Sequence, residues 1–224
     1  MNELTFLIQI LFIFLFSYGA LRLGKGALIT AVCVQAILAN LFVLKQISLF
    51  GFTVTCSDAF AIGSMLCINL LREYFGKEES KKALGICFFF MAFFVIMSQI
   101  HLRFVPSFHD TAHFSYAELL TPAPRLLFAS IFVFFFTQHF DIRCFGWLSK
   151  LLPRTSFPVR SSLSLTLSQF LDTILFSFFG LYGLVANLFD IIFVSFLLKV
   201  LVILTIGPLM TLYKKLQPNE SIPN

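Results

Sequence analysis

Apolar runs separated by short polar, basic stretches fill almost the whole of this 224-residue chain. A helix needs about 20 apolar residues to cross roughly 30 Å of hydrocarbon. Seven runs meet that length closely enough: 4–21, 27–48, 50–71, 83–102, 121–141, 160–184 and 188–212. The second and third run together through "KQISLFG" and the sixth begins polar, so this pattern by itself allows six or seven spans. Helices are required, because an open sheet edge in lipid leaves backbone groups unpaired and the chain lacks the alternating segments of a barrel. The expected fold class is all-α, a polytopic membrane helix bundle forming a single domain over residues 1–224.

Composition agrees. Hydrophobic residues make up 58% of the chain and charged residues 12%, against about 25% charged in a soluble domain. Phenylalanine alone accounts for 32 positions. The first run has no basic residue before it, and Arg22 and Lys25 follow it, so it reads as a retained helix rather than a cleaved leader.

The net charge of +5 is not spread along a face that would track nucleic acid. With seven spans, twelve Lys and Arg fall on one side, at 22–25, 72–82, 143–160 and 214–215, and only Lys45 and Arg103 on the other. Basic loops face the cytoplasm. The bias therefore favours seven spans, with the N-terminus outside and the C-terminus in the cytoplasm.

Several chemistries drop out at this stage. The five cysteines form no CxxC, and four of them lie within apolar runs, where Cys acts as a small hydrophobe. His109, Asp110 and His113 have a spacing that fits a metal on one helical turn, but the loop 102–120 reads better as a polar, aromatic segment resting at the interface. No Walker sequence, GxSxG or HExxH occurs, and the acids are dispersed and deep rather than clustered at one face. The chain is expected not to be an enzyme, and neither a cofactor nor a metal is expected.

Four ionisable residues remain inside the spans: Asp58, Arg125, Asp172 and Lys199. Each costs on the order of 3 kcal/mol or more in hydrocarbon and marks a functional site by default. Asp58 stands about eight residues into the third span, and Asp172 and Lys199 near the middle of the sixth and seventh. Gln169 and Phe176 share a helical face with Asp172. Gln35, Asn40, Ser57, Ser168 and Thr173 add polar groups, and Pro122 and Pro124 precede Arg125. Acids, amides and aromatic rings around one cavity suit a flat, hydrogen-bonding solute. Pairwise neutralisation that only fixes helix register is the plainer alternative.

The stretches "FTVTCSDAFAIGSMLCINLLREYFGKEESKKA" (52–83), "PAPRLLFASIFVFFFTQHFDIRCFGWLSK" (122–150), "SLTLSQFLDTILFSFFG" (164–180) and "SFLLKVLVILTIGPLMTLYKKL" (195–216) come in an informative order. Together, over about residues 50–216, they resemble the YhhQ-type queuosine precursor transporters, a family once labelled a putative vitamin uptake transporter. The resemblance implies a bacterial inner-membrane protein that takes up a 7-deazaguanine precursor of tRNA queuosine. It matches Asp58, Arg125, Gln138, Asp141, Gln169, Asp172 and Lys199 to polar positions of the family. On that footing Asp172 accepts N–H groups of the 2-aminopyrimidinone edge, Gln169 bonds the ring carbonyl or an adjacent N–H, and Phe176 stacks on the base. Arg125 and Lys199 balance Asp58 and Asp172 or gate the cavity. The partners expected are the small solute and the lipid bilayer, with no nucleic acid. The rival readings are an ion- or proton-coupled carrier of another polar solute and a non-catalytic membrane assembly protein.

Overall fold

A computed structural model of the chain describes residues 1–154 and 157–216. Seven long helices and one short one carry it: α1 (Asn2–Leu23), α2 (Lys25–Phe42), α3 (Asp58–Tyr74), α4 (Lys77–His101), α5 (His113–Leu120, the short one), α6 (Ala123–Leu151), α7 (Phe157–Phe176) and α8 (Leu188–Leu216). Five helical stretches among the described residues are long and apolar enough to cross a membrane. The all-α membrane bundle expected from the apolar runs is the fold observed. The C-terminal tail after residue 216, expected on the basic side, lies outside the described residues.

Short connections join α1 to α2 and α3 to α4. Gly24 separates α1 from α2 at φ +100, and Gly76 separates α3 from α4 at φ +94. Such backbone suits glycine, which has no Cβ to clash. Lys25 at the start of α2 reaches Glu79 at the start of α4 across 3.5 Å, within the basic end of the bundle. Glu78 and Glu79, also there, bond Lys81 and Lys82 at 2.9 and 2.8 Å.

The opposite end departs from expectation. Residues 46–55, read above as parts of two spans, form an antiparallel hairpin of β1 (Gln46–Leu49) and β2 (Phe52–Thr55). Its two-residue turn, Phe50–Gly51, has both residues at positive φ, +51 and +87, as a type I′ hairpin turn requires. Side chains alternate across the ribbon. Leu49 and Val54 are buried with Phe6 of α1 and Ala59 of α3, with Val194 and Leu198 of α8 packed against them. Backbone tethers hold the hairpin on two sides. Asn2 donates to Ser48 O and Phe50 N–H to Glu3 Oε1, while Thr53 N–H donates to Asp190 Oδ2 and Ala186 N–H to Gln46 Oε1. The ladder and these tethers satisfy polar backbone that lipid would leave unpaired. With the hairpin in place α3 has 17 residues, about 25 Å of helix, and Asp58 is its first residue rather than lying eight residues inside a span.

Phenylalanines lie mostly outward, and the core is built of small residues and aliphatic ones. The main core joins Ala20, Cys33, Cys67, Ala83 and Cys87 with Leu21, Leu28, Val32 and Leu71. Most phenylalanines of α4 and α6, such as Phe89, Phe93, Phe128 and Phe135, are exposed, which suits lipid. Small residues at helix contacts let backbones approach where no hydrophobic force separates protein from lipid.

Candidate functional site

The charged residues of the spans divide into two sets. Three of them meet at the junction of α3, α7 and α8. Lys199 of α8 donates to Asp172 Oδ2 of α7 at 2.6 Å and to Thr173 Oγ1 at 3.1 Å. Thr173 in turn donates to Gln169 O, one turn back in α7. Ser195, one turn before Lys199 on the same face of α8, donates to Asp58 Oδ1 at 2.7 Å. Asp58 Oδ2 is buried with no hydrogen-bond partner. By helical rise Ser195 lies about 10 Å and Lys199 about 16 Å from the hairpin-side start of α8. Asp172 stands one turn before α7 ends, so the group sits toward the hairpin side of the bundle rather than at the centre of α7.

The Lys199–Asp172 pair is not sealed. The lysine side chain keeps 17% of its surface exposed and the aspartate 28%. Asp172 Oδ1 and the Gln169 side-chain amide make no hydrogen bond among the described residues.

Arg125 belongs elsewhere. The α7 helix widens into a π-helical turn, Ser177–Leu181, and its last carbonyls lack partners within the helix. Arg125, third residue of α6, supplies them: Nε donates to Phe179 O at 2.9 Å and Nη2 to Tyr182 O at 2.7 Å. The pairwise neutralisation of two acids by two bases is therefore half realised, since Arg125 holds carbonyls and not Asp58. Phe176 closes α7, with one edge of its ring over Gly180 and its body against the cluster of Val43, Leu126, Leu181 and Ile191. Pro122 caps α6 and Pro124 lies in its first turn, where the missing N–H costs nothing.

The remaining polar positions find separate partners. Asp141 Oδ1 of α6 accepts from Ser164 at 2.6 Å and Ser168 at 3.0 Å, clamping α6 to α7. Gln138 is exposed. Gln35 Nε2 faces Ser17 Oγ at 3.4 Å and Cys67 Sγ at 3.5 Å, in a neutral cluster of α1, α2 and α3. Asn40 bonds Ala36 O of its own helix, and Ser57 shares a 2.7 Å bond with Thr55. Asp110 caps α5, accepting from Ala112 and His113 N–H. No group of His, Cys, Asp and Glu suited to a metal occurs among the described residues. Ser195 was not singled out from sequence; its spacing of four from Lys199 was the available signal.

Residues 49–213 match the family described as "putative vitamin uptake transporter". A "probable queuosine precursor transporter" of Bacillus subtilis (strain 168) is 27% identical over 219 residues, covering 96% of this chain and 93% of the relative. No solved structure matches the chain.

Proposed function

The chain belongs to the family described as putative vitamin uptake transporters, and from that premise we propose that it takes up a 7-deazaguanine precursor of queuosine across the bacterial inner membrane. The function printed for the Bacillus subtilis relative, at 27% identity over nearly both chains, supports this substrate class. The observation that carries the reading is the half-open Asp172–Lys199 pair, with Gln169 unengaged one turn away.

A 7-deazaguanine presents two adjacent N–H donors and a carbonyl along one edge of a flat ring. Asp172 Oδ1 accepts from the donors, and the Gln169 amide bonds the carbonyl. Lys199 keeps the carboxylate charged and oriented, since a charge-assisted bond is roughly twice as strong as a neutral one. Phe176 offers the free part of its ring for stacking at the end of α7. Arg125 positions that end by holding the Phe179 and Tyr182 carbonyls. Asp58, turned toward Ser195, is given no contact with the base.

The test is uptake of labelled queuine, and of its nitrile and aminomethyl precursors, in cells unable to make or import them. Asp172→Asn, which keeps the shape and loses the charge, is expected to lower uptake more than tenfold, in line with the few kcal/mol of a buried charged hydrogen bond. Unchanged uptake in this variant sinks the assignment of Asp172. Equal competition by unrelated polar solutes would instead favour a carrier of another class.

A further inference from the structure

Two carboxylates share one ammonium at the junction of α3, α7 and α8. Lys199 is committed to Asp172 and Thr173, so Asp58 has no cation in hydrogen-bond contact and its Oδ2 meets no donor. The surroundings supply little else. From α8 the charges nearby are Lys199 and Asp190, and Asp190 is occupied by Thr53 N–H. From α7 comes Asp172, itself an anion. From the hairpin side come the thiol of Cys56, beside the helix start, and the cation of Lys45, whose carbonyl accepts from Cys56 N–H and whose ammonium makes no hydrogen bond with Asp58 among the described residues. The charged residues of α1, α2 and α4 stand at their ends: Glu3 and Arg22, Lys25, and the 77–82 group with His101. Arg72 and Glu73 close the far end of α3 itself. The first turn of α3 contributes a partial positive charge of about half a unit, enough to make the anion tolerable and not enough to cancel it.

We propose that Asp58 is the proton-carrying residue of a proton–solute symporter, which rests on the uptake reading above. In the cycle, H⁺ from the hairpin side binds Asp58 Oδ2, forming an O–H bond and leaving the carboxyl neutral. The neutral base then takes up Asp172 Oδ1. On the other side that O–H bond breaks, the proton leaves to water, and Asp58 returns to carboxylate. One positive charge crosses with each base. Ser195 serves both states, because its hydroxyl donates to Oδ1 whether or not Oδ2 carries the proton.

The geometry links the two acids through one helix face. Ser195 and Lys199 are one turn apart on α8, the first on Asp58 and the second on Asp172. A protonated, neutral Asp58 makes no claim on Lys199, which then stays on Asp172 Oδ2 and holds Oδ1 oriented for the base. Binding of the proton and binding of the solute thereby favour each other, and their release on the other side is coupled. One charge moved per base makes accumulation respond to voltage, roughly fiftyfold per 100 mV, the equivalent of about 2.3 kcal/mol.

The experiment uses the full chain in proteoliposomes with a pH dye inside, labelled queuine as solute, and no nucleotide. Wild type is expected to exchange queuine without a gradient, to admit about one proton per queuine taken up, and to accumulate it when the hairpin side is acid. Asp58→Asn abolishes proton entry and the response to the gradient, while Asp58→Glu, which keeps the acid, retains both. Exchange without proton entry in the wild type overturns the proton role and leaves the solute reading standing. Proton coupling that persists in Asp58→Asn also overturns it. Absence of any queuine exchange removes the solute reading and the proton role with it.

Discussion

The bundle contains two polar clusters, and they are built differently. Between α1, α2 and α3, Ser17, Gln35 and Cys67 form a neutral group in which even the amide is only 8% exposed. It lies among small residues: a Cβ on Gly63 would collide with Gln35 Oε1 and with Ile13 Cγ2. Between α3, α7 and α8, Asp172 and Lys199 are charged and partly exposed, while each cluster holds one buried oxygen without a partner, Gln35 Oε1 in the first and Asp58 Oδ2 in the second. Polar groups that are neutral and tightly enclosed serve as interhelical glue. Charges retained inside a membrane at the cost of desolvation are candidates for function by default. Charge and partial exposure, rather than leftover hydrogen-bonding capacity, separate the two clusters.

The comparison breaks most sharply at Lys199. Lys199→Ala leaves Asp172 without its counter-charge; because the pair stays partly exposed, the expected loss is about 1–3 kcal/mol, less than that of orphaning one member of a sealed pair. Thermal unfolding of the purified protein in detergent reads that loss. Adding Asp172→Asn to the same chain removes the stranded charge and returns most of the stability, with uptake still absent. If uptake also returns, the charged cluster is glue like the neutral one.

Gly63→Ala tests the neutral cluster. The added methyl has no room against Gln35 and Ile13, and overpacking of this kind costs about 1–3 kcal/mol. The expected result is a lower Tm with an unchanged KM for queuine. A KM change larger than the loss of folded protein would place the α1–α2–α3 interface in the transport path.

The smallest effect belongs to the exposed ion pairs at the basic end. Hydrogen bonds from Lys81 and Lys82 hold Glu78 and Glu79 below the ordinary carboxyl value of 4.5. A lowered folded value means the contribution is complete above that ordinary value and fades as pH falls below it. At neutral pH the Glu78–Lys81 pair, with the glutamate side chain 75% exposed, is screened by solvent, so Glu78→Gln is expected to leave Tm and uptake unmoved. Any difference between variant and wild type then narrows in a titration downward from pH 4.5.

Much of this architecture was legible in the residues themselves. The apolar runs located α1, the end of α4 and the start of α8 to within a few residues, because crossing lipid demands length and apolarity whatever the neighbours are. Asp172 and Lys199 stood out because charge inside an apolar run is costly, and they do meet. The hairpin was misread as helix because a short apolar run has no decisive period. The β-branched Ile47, Thr53, Val54 and Thr55 around Phe50–Gly51 were the clue. Moving that segment out of helix moved Asp58 from inside a span to the start of α3.

What this sequence determined alone is a polytopic membrane bundle with a basic side and a few charges too expensive to be idle, since the physics of lipid acts residue by residue. Partner choice was decided only in three dimensions. Arg125 and Lys199 are both cations in apolar helices, yet one holds the carbonyls of a widened helix end and the other holds an acid. Asp58 and Asp172 are both acids, yet only one has a cation in contact. Those differences arise from helix register and from the hairpin, and contacts across 27 to 137 residues of chain leave no local pattern for a reader of the sequence to follow.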